Sequence, residues 1–320
     1  MSDSSPSAPS SLPSKVSSSE GSYPRETSQG ADAPLAAYPA PPPLSAGLYI
    51  VATPIGNLRD ITLRARDALA AADLIVCEDT RVTGKLLHAF GLKVSMLSYH
   101  EHNAAERRPR ILAKLAEGAA VALVSDAGTP LISDPGYKLV QAAREAGHPV
   151  TALPGASAVL TALMSAGLPT DRFFFQGFLP NKRKARRDTL GGLAGLDSTL
   201  VFYESPNRLA ASLRDMANLL GEREAVVARE LTKRFETVSR GALFDLAETY
   251  AAPPKGEVVV LVAPPAPVTD EVSDADLDRR LETALATQSL RDAVATVVQA
   301  TGAPRKRVYQ QALAIKDSMP

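Results

Sequence analysis

The chain has 320 residues, 45% of them hydrophobic and 22% charged, with 35 basic and 35 acidic side chains. That is an ordinary globular composition, long enough for two domains of roughly 100 to 200 residues each, and its zero formal charge excludes a protein that is polycationic or polyanionic as a whole. Cys77 is the only cysteine, which excludes an intrachain disulfide and fits a reducing, cytoplasmic compartment, while no stretch approaches the ~20 apolar residues of a membrane span.

Residues 1–46 are dense in Ser, Pro and Ala and lack the apolar core of a secretory signal. Such a segment cannot bury enough apolar surface to offset its ordering entropy, so a disordered leader is expected. From Leu48 the pattern turns regular. Strand candidates at 48–52, 74–77, 94–97, 121–124 and 150–153 are separated by segments of helical period such as 137–146, which Gly147 closes as a C′ residue. Cys77 lies in the apolar run that begins at Leu74 and reads as a small buried hydrophobe. Continuous apolar strands alternating with helices predict a largely parallel sheet covered on both faces, with ligands beyond the strands' C-terminal ends.

After Gly167 and Pro169 the pattern restarts, with strand candidates at 173–178, 199–203, 225–229, 236–240 and 257–262. The interval between Arg229 and Gly241 is too short for a helical crossover, so the second sheet is expected to be mixed, with at least one antiparallel pair. Residues 263–269, with Pro264, Pro265 and Pro267, read as a linker. Beyond it the pattern is purely helical. Ser289 with Asp292 forms a capping-box-like start; Leu290, Ala293, Val294, Val297 and Val298 make one apolar stripe that Gly302 can end. Pro304 suits the first turn of a further helix carrying Val308, Ala312 and Ile315, so the pair reads as helix-turn-helix-like. The expected division is a leader at 1–46, α/β domains at 47–168 and 169–264, a linker at 265–273 and a helical module at 274–320.

Two basic clusters stand out, Lys182, Arg183, Lys184, Arg186 and Arg187 in one segment and Arg305, Lys306 and Arg307 in another. Each reads either as a solvated helix face or as a basic face for a polyanion. The second reading has a physical argument, because cations in a helix's first turn oppose the macrodipole and phosphate contacts would offset that cost. Asn181 is the expected N-cap of the first cluster's helix. RNA phosphate is therefore the expected contact of both clusters, with the C-terminal module as a docking element.

No P-loop, GxGxxG following a strand, GxSxG elbow or HExxH occurs. His100 and His102 flank Glu101, but no further ligand set accompanies them and no metal site is expected. What the sequence offers are loops of Gly, Pro and small residues placed directly after strands: Thr53-Pro54-Ile55-Gly56-Asn57, Ser125-Asp126-Ala127-Gly128-Thr129-Pro130, and Leu153-Pro154-Gly155-Ala156-Ser157-Ala158. Small residues let backbone approach a ligand, and Asp126 adds a fixed anion. Three such loops on one sheet edge would converge on one cleft.

The strings LYIVATPIGNLRD at 48–60, EDTR at 78–81, SDAGTPLISDPG at 125–136 and ARELTK at 228–233 resemble the signature blocks of the ribosomal RNA small subunit methyltransferase I family, within the tetrapyrrole methylase superfamily. The similarity runs in order from Gly47 to about Ile315. It implies an α/β fold of two tetrapyrrole-methylase-type domains with S-adenosylmethionine in the cleft between them, a small helical module, and a homodimer. The implied activity is 2'-O-methylation of a cytidine in small-subunit (16S) ribosomal RNA, on free RNA or the assembled 30S subunit. Cofactor contacts implied by the resemblance are Pro54; Ala127, Gly128, Thr129 and Ile132; Ser157 and Ala158; then Tyr203 or Glu204 and Leu231, with Asp126 in the second loop. The first loop departs from the GxGPGD-type loop of porphyrin-methylating relatives, so their substrate contacts do not transfer. A ribose hydroxyl is a poor nucleophile and calls for a base or a cation nearby; Glu78, Asp79, Arg81, Glu230 and Lys233 are the candidates, with a Glu78–Arg81 ion pair as the structural alternative. Two rival readings use the same residues, a tetrapyrrole methyltransferase and a non-catalytic RNA-binding protein.

Overall fold

The computed structural model describes residues 42–266 and 273–318, so nearly all of the expected leader and residues 267–272 of the expected linker lie outside the described residues. The first half of the described chain contains β1 (Gly47–Val51), α1 (Leu63–Ala71), β2 (Leu74–Cys77), α2 (Thr80–Ala89), β3 (Met96–Ser98), α3 (Ala104–Ala116), β4 (Ala120–Leu123), α4 (Tyr137–Glu145), β5 (Val150–Leu153) and α5 (Ala158–Ala166). The sheet order is β3-β2-β4-β1-β5 and every pairing is parallel. Alternate residues serve opposite faces: Ile75 and Cys77 join one apolar cluster with Val51 and Ala122, while Val76 joins the other with Leu48, Val121 and Leu123. β3 begins two residues later than the apolar run suggests, because its pairing with β2 starts where Met96 faces Ile75.

The second sheet comprises β6 (Phe173–Phe178), β7 (Thr199–Glu204), β8 (Glu224–Arg229), β9 (Thr237–Ala242) and β10 (Val258–Val262), in the order β6-β7-β10-β8-β9. β6 and β7 are parallel and the other pairs antiparallel, the mixed sheet that the short interval after Arg229 requires. One face carries α6 (Arg183–Leu193), α7 (Leu209–Leu220) and α8 (Leu243–Thr249), packed on Leu200, Phe202, Val258, Val260 and Val262. The opposite face presents Val201, Val226, Ala228, Val259 and Leu261 to α5, whose Val159, Ala162, Leu163 and Ala166 complete that cluster. A helix that belongs to the first unit by sequence thus shares its core with the second, across the boundary expected at residue 168.

The C-terminal segment forms three helices, α9 (Asp274–Leu285), α10 (Leu290–Thr301) and α11 (Arg305–Ser318), around Leu277, Leu281, Val294, Val297, Val308 and Ala312. Ser289 caps α10 by accepting from Asp292 N at 3.3 Å, and Gly302 ends it at φ +67°. Pro304 stands just before α11, where its carbonyl accepts from Arg307 and Val308.

One expectation about α6 is corrected here. Its basic run is not a row of unpaired cations: Arg186 is buried and donates Nε and Nη2 to Asp215 Oδ2 at 2.9 and 2.7 Å, and Arg187 donates to Asp215 Oδ1 at 3.1 Å. Arg183 stands 3.6 Å from the same carboxylate. Asp215 lies on α7 and is 3% exposed, so α6 is held to α7 by a desolvated charge cluster as well as by Leu190 and Leu213. Asn181 does not cap α6 either; its Oδ1 accepts from Arg208, and Lys182 occupies the cap position without a side-chain hydrogen bond. Burial pushes the Asp215 carboxyl up, but the hydrogen bonds from Arg186 and Arg187 outweigh it and hold the group below the usual carboxylate range.

Breaking one partner of a buried pair leaves the other charge uncompensated, at a cost of about 3–5 kcal/mol. Asp215→Asn is therefore expected to lower unfolding free energy by about that amount at pH 7, measured by urea denaturation. A lowered native pKa means the ionised carboxylate's contribution is complete above its unfolded value near 3.9 and is lost as pH falls through the native one. The gap between wild type and variant should accordingly close only in strongly acidic solution.

Candidate active site

Three loops emerge at the C-terminal edge of the first sheet and are tied to one another. Thr53 and Gly128 form an isolated two-way bridge, Thr53 N to Gly128 O at 2.9 Å and Gly128 N to Thr53 O at 3.0 Å. Ser125 Oγ braces the second loop from within through the carbonyls of Ala127 and Gly128. Thr129 Oγ1 donates to Ala156 O of the third loop at 3.0 Å. Gly128 sits at φ +78°, and a Cβ there would lie 3.1 Å from Ile55 Cγ2 of the first loop; a Cβ on Gly155 would lie 2.8 Å from the Ala52 methyl. The three loops pack closely enough that glycine is needed at both places.

Around this knot lie two hollows. In the first, a narrow cavity of about 60 Å³, the structure brings together Ala127, Gly128, Thr129, Ile132, Ser157, Ala158 and Tyr203, and adds Ile55 and Asp134. The second, about 240 Å³, lies against the other side of the bridge and contains Pro54 and Asp126 with Gly56, Val82 and Lys85. Leu231 is 5% exposed within the cluster that joins α5 to the second sheet, so it backs the cleft rather than opening onto it. A larger groove lined by Met96, Arg110 and Lys114 opens at the N-terminal ends of β2, β3 and β4, the wrong edge of the sheet for a ligand site of this fold class.

Glu204 departs from the implied cofactor set. Its side chain has no exposed surface and is saturated by Ser205 N at 2.7 Å, Arg208 Nε at 2.8 Å and Ser212 Oγ at 2.5 Å. It is a buried clamp joining β7 to α7, and of the two alternatives Tyr203 is the one in the cavity. Strand alternation explains this, since adjacent residues of β7 face opposite sides.

The charged candidates fall into two groups. Asp79 caps α2 and pairs with Arg81, Nη2 to Oδ2 at 2.6 Å, which holds its carboxyl down to about 2. Arg81 thus pairs with Asp79 and not with Glu78, contrary to the alternative raised from sequence. Asp79 N in turn donates to Asp126 Oδ1 at 3.1 Å, linking α2 to the second loop. Across the cleft, Lys233 Nζ reaches Glu230 Oε1 and Glu257 Oε2, each at 2.8 Å, and its stem lies so close to Gly56 that a Cβ there would collide with Lys233 Cγ. Glu230 and Thr232 hold φ of +51° and +65°, so this turn from the second sheet is strained where it meets the first loop. His100 is tied to Asn103 rather than to a ligand set, its N donating to Asn103 Oδ1 at 2.9 Å.

Asp134 is the functional candidate that sequence reasoning passed over. It lies inside the SDAGTPLISDPG string, between Ser133 at φ +65° and Gly136 at +131°, and it turns into the cavity beside Tyr203. Burial, with the nearby charges of Glu78 and Asp126, pushes its carboxyl up to about 6 despite a hydrogen bond from Ser125. Burial also raises Glu78, reinforced by Asp126, and Tyr203 is pushed up to about 12 by burial and by the carboxylates of Asp134 and Glu257. Period and composition could not single out Asp134, but the second of two carboxylates within a string of small residues was the available signal.

Of the first basic cluster, Lys182, Arg183 and Lys184 are exposed while Arg186 and Arg187 are engaged by Asp215; of the second, Arg305 and Lys306 are exposed and Arg307 binds Asp274 at 2.7 Å. No described helix is long and apolar enough to cross a membrane.

Comparison with known proteins agrees with the fold. Residues 47–247 match the model of the tetrapyrrole (corrin/porphyrin) methylases, and residues 271–316 match one described as the RsmI C-terminal HTH domain. A protein of Mesorhizobium japonicum named ribosomal RNA small subunit methyltransferase I is 50% identical over 86% of this chain and 94% of its own length. The protein of the same name from Escherichia coli O157:H7 is 48% identical over 83% of this chain and 94% of its own. Among solved structures, diphthine synthase superposes with a TM-score of 0.55 at 17% identity, covering 68% of this chain and 89% of that one, a likeness of fold alone.

The raised carboxyl makes a stability prediction. Because Asp134 ionises near 6 in the folded protein and near 3.9 unfolded, the fold loses stability as pH rises through that window and carries the full penalty above it. Asp134→Asn is expected to raise the unfolding midpoint at pH 8 and leave it unchanged at pH 3.5, measured by thermal denaturation at both values.

Proposed function

Since the chain belongs to the tetrapyrrole methylases, and within them to the ribosomal RNA small subunit methyltransferase I family, we propose that it transfers the methyl group of S-adenosylmethionine to a cytidine 2'-hydroxyl of small-subunit ribosomal RNA. The observation that carries the reading is the convergence of Gly128, Thr129, Ser157 and Tyr203 on one cavity within a chain whose curated relatives, 48–50% identical, are named for ribosomal RNA. Those names also leave the tetrapyrrole substrate less supported than RNA.

The hollows of about 60 and 240 Å³ on either side of the Thr53–Gly128 bridge suit the cofactor together, since neither alone has the roughly 300 Å³ or more of a small-molecule site. The walls of the narrow cavity are backbone and small side chains, Gly128 admits no Cβ, and Asp126 in the adjoining hollow complements a sulfonium or an ammonium group. When bound, S-adenosylmethionine supplies a methyl that is already activated toward displacement. The chain's part is to orient, to exclude water and to manage the proton of the attacking hydroxyl. Ile55, Ile132 and Ala158 keep the cavity apolar; the bridged loops hold its shape before the ligand enters. Asp134, half-buried and poised near neutrality, is placed to accept the 2'-hydroxyl proton, with Glu78 and Asp126 keeping its affinity for that proton high. Lys233, held between Glu230 and Glu257 against the first loop, supplies the fixed cation facing them. Arg81 and Asp79 position α2 against Asp126.

The proposed partner is the ribosomal RNA itself or the assembled 30S subunit, in the cytoplasm. A homodimer is supported by apolar surface left bare on α5 and β6, where Leu160, Met164, Phe173 and Phe178 are 53%, 79%, 45% and 58% exposed.

Purified protein given S-adenosylmethionine labelled in its methyl group and undermethylated small subunits should place label on ribose, and uroporphyrinogen should take none. Label only in uroporphyrinogen would overturn the reading. Asp134→Asn should lower kcat by about 10²–10⁴-fold, the range for a general base, while calorimetric affinity for S-adenosylmethionine stays within about threefold. The wild-type rate should climb through pH 6 as the carboxyl ionises, and that rise should vanish in the variant.

A further inference from the structure

The helical module holds a second candidate site, far in sequence from the cofactor loops. A hollow of about 500 Å³ lies between the start of α10 and the length of α11, and its polar lining is Ser289, Arg291, Arg305, Tyr309 and Lys316, over a floor of Leu290 and Val294. Among the described residues no carboxylate lines it, although Asp292 accepts from the lining Ser289 hydroxyl at 2.6 Å. The module's other arginines are differently placed: Arg279 and Arg280 pair with Asp276 at 3.4 and 3.1 Å, and Arg307 with Asp274 at 2.7 Å. The arginines of this small bundle are thus divided between a face neutralised by α9 and a hollow where Arg291 and Arg305, with Lys316, make no ion pair among the described residues. Arg305 also stands in the first turn of a 14-residue helix with no acidic residue there, where the macrodipole disfavours a cation unless an anion lies close, whereas α10 has Asp292 in its first turn beside Arg291.

Tyr309 supplies what an anion alone would not need. It is the one aromatic residue between 273 and 318, and its side chain is left 45% exposed at the hollow's edge rather than folded into the core that Val308 and Ala312 enter on either side of it. A bare aromatic face amid cations is the composition of single-stranded nucleic-acid sites, where a base stacks on the ring and the flanking phosphates meet the charges. Duplex reading by a recognition helix fits RNA poorly, since the major groove of an A-form helix is too narrow for side chains to read.

We propose that this hollow binds one unpaired nucleotide of RNA, its base stacked on Tyr309 and its phosphates held by Arg291, Arg305 and Lys316. The proposal rests on the reading of RNA as substrate and names where on the module the RNA is gripped. Lys306, exposed on α11 outside the hollow, has no part in it.

The test uses the full-length protein and fluorescence anisotropy with a labelled single-stranded oligocytidylate and, separately, a labelled RNA hairpin without unpaired bases, at low and moderate salt. Tyr309→Ala should weaken the single strand by about 5- to 160-fold, the range for one stacked base, and Tyr309→Phe should restore it. Arg291→Ala with Arg305→Ala should lower the salt slope by about 0.7 for each phosphate no longer neutralised, and Lys306→Ala should leave it unchanged. Far-UV melting of the module and calorimetric affinity for S-adenosylmethionine, expected to be unaltered in every variant, distinguish weakened RNA binding from unfolding. Unchanged affinity in folded Tyr309→Ala, an equal loss in Tyr309→Phe, or losses confined to the hairpin would overturn the site. Methylation of undermethylated subunits is followed in parallel. Wild-type protein that grips the oligonucleotide through Tyr309 yet labels no ribosomal RNA would support the site and refute the assigned reaction. Protein that labels the RNA while Tyr309→Ala changes neither binding nor KM would refute the site and leave the reaction standing.

Discussion

The burial of α5 against the second sheet is the interaction on which the site's geometry depends. Its first turn is capped by Ser157, a residue of the cavity, while its apolar body fills the space over Val201, Val226, Val259 and Leu261. The same nine-residue helix therefore ends a loop of the first sheet and closes the core of the second. Non-directional burial of apolar area does the joining, and it does so without a polar group that water could compete for. Because Ile55 and Leu231 enter that cluster from opposite sides of the cleft, any change in how α5 seats would move both walls at once.

Electrostatics then distributes the remaining work. Two carboxylates, Asp215 and Glu204, are buried and surrounded by arginines and hydroxyls, and each joins α7 to a neighbouring element. Such pairs are costly to desolvate and costly to break, so they specify one arrangement more than they add stability. The carboxylates at the cleft are of another kind. Burial and the nearby charge of Asp126 raise the proton affinity of Glu78, and burial with the charges of Glu78 and Asp126 raises that of Asp134, where the cavity needs a group that can change charge.

Backbone strain is concentrated in the same place. Among the described residues, the non-glycine positions with positive φ are Leu131 and Ser133 in the second loop and Glu230 and Thr232 at the end of β8, two from each side of the cleft. Where β6 bulges at Gly177, a Cβ would meet Ser133 Oγ at 2.9 Å, so the strained loop is pressed by the second sheet. Conformations that cost free energy locally persist when their surroundings overdetermine them, and this clustering accords with a preorganised site.

Much of this protein is determined by local chemistry that a sequence displays. The strands are continuous apolar runs because both faces of each sheet are covered; α4, α10 and α11 begin and end near their Gly, Ser and Pro punctuation; and the mixed second sheet follows from too few residues for a crossover after Arg229. The three small-residue loops are likewise visible as loops following strands, and parallel topology alone sends them to one edge. What only tertiary structure decides is which partner each side chain meets. Arg186 and Asp215 are 29 residues apart, so a run that reads as a cationic face becomes a buried clamp. Asp134 reads as one more turn residue until folding sets it beside Tyr203 and two other carboxylates. α5 is apolar on nearly every side, and no periodicity tells which sheet will take it. Secondary structure is set by neighbours three or four positions away, whereas charge state, burial and the walls of a cleft are set by residues that meet only when the chain has closed on itself.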